Sequence, residues 1–365
     1  HRVTVDVDDA VGVTAGQLIE TVTEPVPVGA NTRRLDRVRG LVAHLGAPHV
    51  TVIGRDQSLV GRLLQLRARL VARSSELWRE PAASLATGLV VGNRANFDAD
   101  LAAAMQSTGT THLVAVSGQN LAIILWIMPF VLPGRPTWFR PVVTIGGLIG
   151  FTILAGASAS VVRAAVLAIA GLAAQAFGRP TSGLRTLLLA ATAMAVVNPY
   201  LPVFDLGFQL SFVAVAGLLT LGSWLARTLP GPRRLRLAVS VTVAAYCVTA
   251  PLLAGSFGVV SLSAPLVNLL VQPLAAAAMV GAGAVFALSG FSIWLAHVFA
   301  WIVWPLLAAT TGLIQWFALQ SIPVVALEPP SWLVWGAVSS FILVPAWFQL
   351  SRDHGATTID DRWLM

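Results

Sequence analysis

Between Leu101 and Leu327 the chain carries a single acidic residue, Asp205. From Thr111 to Leu350 it is almost continuously apolar. This constrains the fold more than any other feature. A soluble domain needs interspersed surface charge to stay dispersed, and only 11% of these 365 residues are charged while 56% are hydrophobic. In lipid the same run resolves into helices, because a bilayer core leaves no other partner for backbone N–H and C=O groups, and each span needs roughly 20 apolar residues. The spacing predicts spans over residues 112–132, 139–157, 161–177, 184–200, 205–226, 237–257, 263–288, 292–317 and 332–349. The expected fold class is an all-α polytopic membrane protein of about 8–9 transmembrane or re-entrant helices, with a small N-terminal soluble β/α remnant.

Four regions follow. Residues 1–60 are soluble in character and β-rich: "HRVTVDV" and "PHVTVIG" alternate and favour β-branched residues, with "TEPVPVGAN" as turn material between them. Residues 61–110 predict basic and amphipathic helices leading into the membrane. "GRLLQLRARLVARSSELWRE" sets Arg62, Arg69 and Arg73 on one face, and "FDADLAAAMQSTG" predicts a second helix stopped by Gly109. Residues 111–350 form the membrane domain, and 351–365 a polar tail. The first residue is His1 and the start shows no signal-peptide pattern, so the chain is expected to be a piece of a longer protein. Arginines cluster at 55–94, 179–185 and 227–236, which are cytoplasmic candidates, although simple alternation of spans cannot place all three on one side.

A charge at the centre of a bilayer costs about 2.5–3.5 kcal/mol on insertion scales, so polar groups inside these spans turn toward partners or water. That filter selects five places. "THLVAVSGQN" opens the first span with His112, Ser117, Gln119 and Asn120, and helical spacing puts Ser117 and Asn120 on one face. They act either as a wet lining or as bonds between helices. "ASASVVRAAV" carries Arg163 after a run of small residues. It either grips an anion or pairs with Asp205. "NPYLPVFDLGFQLSF" starts a helix at Asp205, a capping position, with Gln209 one turn on. "TAPLLAGSFGVVSLSAPLVNLLVQPL" holds Asn268 and Gln272 on one face and Pro251, Pro265 and Pro273 as expected breaks. Tyr246 and Cys247 have no evident partner and are assigned to packing.

The chain has no lysine, so any phosphate contact must come from guanidinium groups, which grip oxygens in pairs. One cysteine excludes an internal disulfide. There is no HEXXH, no phosphate-loop GKS/T and no GXSXG, so no catalytic motif, no metal ligand set and no cofactor are expected.

Four ordered stretches carry a resemblance. "STGTTHLVAVSGQNLAI", "SVVRAAV", "NPYLPVFDLGFQLSFVAVAGL" and "FGVVSLSAPLVNLLVQPL" are similar, in that order, to the signature blocks of the ComEC/Rec2 competence family, and "ATGLVVGNRANFDADLAAAMQSTG" resembles the lead-in to the first. Together they cover about residues 85–275, with a looser match to about 350. The family often has histidine where Asn120 stands; asparagine keeps the hydrogen bonding but does not titrate. The resemblance implies an inner-membrane, multi-pass channel that takes up single-stranded DNA during natural transformation. It implies a path touched by His112, Ser117, Asn120, Arg163, Asp205, Gln209, Asn268 and Gln272, with Phe208 or Phe212 as a stacking face. It also implies partners: single-stranded DNA, membrane lipid, a DNA receptor, a helicase-like ATPase and a separate nuclease. The family's metallo-β-lactamase-like domain is not expected within this stretch, so no enzyme activity is carried over.

Two other classes compete. A secondary transporter of a small solute would use Arg163 and Asp205 as an ion-coupled pair. An intramembrane hydrolase would use Ser117 and His112, which lie five apart and so point to different helix faces.

Overall fold

The structure, a computed structural model, describes residues 57–93, 97–114, 118, 120–123, 125, 139–156, 159–176, 183–320, 324–326 and 330–353, with four strand segments at 17–21, 25–27, 43–45 and 50–55. Eleven helices of six residues or more dominate these residues when the π turn described below is counted within its helix. They are α1 (Leu59–Leu77), α2 (Ala82–Val91), α3 (Ala99–Ser107), α4 (Phe139–Leu154), α5 (Ala159–Ala176), α6 (Gly183–Val197), α7 (Leu206–Thr228), α8 (Arg233–Phe257), α9 (Ala264–Ser289), α10 (Ile293–Leu319) and α11 (Ser331–Asp353). Four of them, α7 to α10, are long and apolar enough to cross a bilayer. Shorter apolar helices accompany them, α2, α4 and α6 among these. The expected spans from residue 139 onward fall on helices within a few residues. Most of the first, 112–132, lies outside the described residues.

Small residues set the tightest seam. α9 and α10 form a hairpin along Ala275, Ala278, Ala282, Ala296 and Ala300, all buried. A Cβ on Gly281 would sit 2.9 Å from a Val303 methyl, so the helices approach more closely than any larger residue there permits. In lipid the association rests on this close packing, because tails offer leucine as good an environment as a neighbour does. Trp78 plugs the base of the hairpin. Its ring meets Phe286 edge-on at 5.7 Å, and its Nε1–H donates to the Ala300 carbonyl at 3.0 Å.

α2 falls in the stretch expected to be helical, but it is not an amphipathic helix. "AASLATGLVV" lacks the polar face of an amphipathic helix because nine of its ten residues are buried, against α9 and α10. The expected breaks at Pro251 and Pro273 are corrected: α8 runs through the first and α9 through the second. Neighbouring helices and side chains can absorb the freed carbonyl. Pro265 instead occupies the first turn of α9, where its missing N–H costs nothing.

α7 contains a wide π turn at Leu218–Gly222 where it packs on α8. Arg67 of α1 lies against Gly156, just past the end of α4, at φ 81, where an added side chain would strike its guanidinium. Burial there pushes the Arg67 pKa down from its ordinary value.

Near the N-terminus, β1 (Gln17–Thr21) pairs antiparallel with β4 (Val50–Arg55), and β2 (Pro25–Pro27) with β3 (Ala43–Leu45). β4 matches the expected strand in "PHVTVIG"; "HRVTVDV" lies outside the described residues. β2 falls in the stretch expected to be a turn. A two-stranded pair has only edges, where proline is tolerated. A third pair, β5 (Val259–Ser261) with β6 (Val324–Ala326), was not expected; it joins the α8–α9 connection to the α10–α11 connection.

Candidate functional site

The charged residues selected from the sequence meet where α5, α7 and the loop before α7 come together. Asn198 and Pro199 end α6, and the Asn198 Oδ1 accepts from the Tyr200 N–H at 3.1 Å. A single helical turn, Leu201–Phe204, follows. Asp205 then breaks the helical path with φ −92° and ψ 101°, and its carboxylate accepts the Phe208 N–H as the N-cap of α7. Gln209 closes the corner by donating from Nε2 to the carbonyls of Pro202 at 2.9 Å and Val203 at 3.0 Å.

Arg163 reaches this corner from the first turns of α5. It is 3% exposed, and its Nη1 lies 3.5 Å from the Asp205 Oδ1. Gly207 makes room: a Cβ there would stand 3.1 Å from both the guanidinium Nη2 and the carboxylate. The two alternatives weighed for Asp205, cap and counter-ion, are therefore both realised by one side chain. Its carboxylate is committed to the helix while it balances the arginine. The guanidinium is less well served. Its Nε and Nη1 are buried and make no hydrogen bond among the described residues. A guanidinium has five N–H groups in a planar fork, and a buried donor left unmet costs about 1–3 kcal/mol. Such an arrangement suits an anion with paired oxygens.

Phe208, suggested as a stacking face, is buried and already stacks on Phe212 with ring centres 4.3 Å apart.

A second polar cluster escaped the sequence analysis. At the β5–α9 corner, Ser261 donates to the Ser107 carbonyl at 2.6 Å and sits 3.0 Å from the Ser263 hydroxyl. Tyr246 donates from α8 to the Ser261 carbonyl at 2.9 Å, which corrects its assignment to packing alone. Thr108 and Thr110 are hydrogen-bonded to each other at 3.0 Å. Gly109 between them has φ 68°, and a Cβ there would stand 2.7 Å from that of Ala264. Every side chain named in this cluster has a partner. The only hint in the sequence is that "STGT" and "SLS" bracket apolar runs, which by itself indicates a cap.

The remaining selected residues scatter. Asn120 is buried and donates from Nδ2 to the Leu89 carbonyl at 2.7 Å, meeting one of the unpaired carbonyls in the last turn of α2. His112 is exposed, with Nδ1 3.1 Å from the Gly109 carbonyl. Asn268 of α9 has a buried Oδ1 with no hydrogen bond among the described residues, and Gln272 stands one turn further along the same helix. Ser117 lies outside the described residues. The contacts of Arg163, Asp205 and Gln209, those of Asn120, and those of the hydroxyl cluster share no residue.

Long apolar helices, lipid-type packing and a buried ion pair define a polytopic helical membrane protein. The chain belongs to the competence protein family: the family model described as "Competence protein" matches residues 89–352. It is also similar to "ComE operon protein 3" of Bacillus subtilis (strain 168), with 26% identity over 160 residues, 43% of this chain and 20% of that protein. The matched stretch thus spans about a fifth of the length of that relative. No solved structure matches.

Proposed function

We propose that this chain is the polytopic channel part of a protein that carries single-stranded DNA across the inner membrane during natural transformation. The observation that carries the proposal is Arg163, almost wholly buried, with its Nε and Nη1 making no hydrogen bond among the described residues and a counter-ion already committed to a helix cap. A backbone phosphate offers the paired oxygens those donors lack. Family membership supports this reading. So does the scarcity of carboxylates between Leu101 and Leu327, since a polyanion is repelled by acid along its path.

In this reading Arg163 exchanges part of its interaction with Asp205 for successive phosphates. Gln209 holds the corner beneath it, and Asn120, Asn268, Gln272, His112 and Ser117 supply hydrogen bonds that do not select sequence. The sequence contains no nucleotide-binding motif, so a helicase-like ATPase supplies the energy, with a DNA receptor outside the membrane and a separate nuclease as further partners. The chain itself acts as a conduit and not as an enzyme.

The test is uptake of radiolabelled DNA into the cytoplasm by cells carrying Arg163→Ala, with the amount of protein in the membrane measured in parallel. Loss of one charge-assisted contact predicts a fall of roughly tenfold or more at unchanged protein level. Normal internalisation would overturn the proposal.

The 3.5 Å ion pair favours a second reading, transport of a small solute coupled to the Arg163–Asp205 pair. That reading predicts that Asp205→Asn abolishes proton-driven solute flux and leaves DNA uptake untouched.

A further inference from the structure

A second cationic place lies outside the Arg163 corner and shares no residue with it. Where α1 ends, Leu77, Trp78 and Arg79 turn against α10 and leave a groove of about 450 Å³, walled by His297, Ala300, Trp301 and Trp304. Its floor is fixed by the Trp78–Ala300 hydrogen bond. Its outer wall is apolar and faces outward: Trp301 is 78% exposed and Trp304 49%, and Val298, Phe299 and Ile302 beside them are exposed as well. On a helix of this length and composition that face meets hydrocarbon.

Besides His297, whose Nδ1 lies 2.8 Å from the Ile293 carbonyl of its own helix, two polar features interrupt the apolar wall. Arg79 is exposed and forms no ion pair among the described residues. Its neighbour Glu80 instead accepts the Ser84 N–H at 3.1 Å. Pro305 lies inside α10 and has no N–H to offer the carbonyl four residues back, which belongs to Trp301 in the groove wall. Arg79 thus stands beside an aromatic surface that faces lipid, and the Trp301 carbonyl in that wall lacks the N–H that a residue other than proline at 305 would supply.

We propose that this groove binds one molecule of phosphatidylglycerol. The phosphate accepts hydrogen bonds from the Arg79 guanidinium, a glycerol hydroxyl donates to the Trp301 carbonyl, and the acyl chains lie along Trp301 and Trp304. Charge complementarity selects the anionic phosphate. The freed carbonyl selects a headgroup with a donor, and phosphatidylcholine has none. Tryptophan and arginine suit this depth because both put an apolar body in lipid and a polar end at its boundary. A nucleic acid could also use arginine and tryptophan, but it would have to lie on an apolar face turned to the acyl chains.

The test uses the full chain, delipidated in detergent, offered an equimolar mixture of phosphatidylglycerol and phosphatidylcholine, with retained lipids counted by native mass spectrometry. We expect one phosphatidylglycerol to be retained in preference to phosphatidylcholine. Arg79→Gln should cut that preference about tenfold, the loss expected for a hydrogen bond to a charged group. The exposed Arg69→Gln, one face away on α1, should leave it unchanged. Trp301→Ala should shorten retention of both lipids, while millimolar inorganic phosphate should displace neither. Equal retention of the two lipids by the parent chain, an unchanged preference in Arg79→Gln, or displacement of the lipid by a single-stranded oligonucleotide would each overturn the proposal. Because the assay involves no DNA uptake, its outcome stands apart from that of Arg163→Ala.

Discussion

The two polar centres of this chain are built on opposite principles. The β5–α9 corner is neutral: Ser107, Thr108, Thr110, Tyr246, Ser261 and Ser263 satisfy one another or nearby carbonyls. The α5–α7 corner is charged, and Arg163 retains N–H groups that nothing described accepts. Both sit among apolar helices, where an unmet donor is expensive. A saturated cluster holds helices in register and needs nothing from outside. An unsaturated one keeps a cost that a ligand can relieve. Polarity alone therefore does not mark a site in a membrane; what separates the two is how much hydrogen-bonding capacity is left over.

That contrast breaks if the hydroxyl corner proves functional or the charged corner merely structural. The largest effect is expected from Gly109→Val. It forces a β-branched residue to φ 68° and drives its Cβ toward Ala264, so folded protein should be nearly absent from membrane fractions, a loss of several kcal/mol. Asp205→Ala leaves a buried cation alone and removes a helix cap, for about 3–5 kcal/mol, seen as a lower unfolding midpoint in detergent. Asp205→Asn keeps the cap and should recover about 1 kcal/mol of that loss. The double variant Arg163→Gln with Asp205→Asn should regain protein abundance and still fail to internalise DNA; restored uptake would make the charged corner a structural pair only. The smallest effect is expected from Tyr246→Phe, about 0.6 kcal/mol, the average for a hydrogen bond between membrane helices, with uptake unaltered.

Much of this was legible in the residues, and the gaps have physical causes. The spans from 139 onward could be read from apolar length, because lipid demands it. The meeting of Arg163 with Asp205 could be weighed in advance, since lone opposite charges in an apolar domain have few other partners. The burial of α2 could not, because a helix buried all round shows no periodicity to mark which face packs. The hydroxyl cluster was invisible for another reason: serine and threonine can return their hydrogen bond to their own helix, as Thr144 does to Arg140, so only the fold reveals which ones reach across. Pro251 and Pro273 misled because proline disrupts helices in water more than it does among helices that can re-satisfy the freed carbonyl.

The β5–β6 pair has a mechanical meaning. It ties the α8–α9 corner to the segment between α10 and α11, so the ends of four helices are knotted to a common anchor. The tightly meshed α9–α10 hairpin has both its outer ends next to that pair. On the other flank α5 and α6 pack on α7 while α4 packs on α5 and α1, and none of these three shorter helices is tied by the β5–β6 pair.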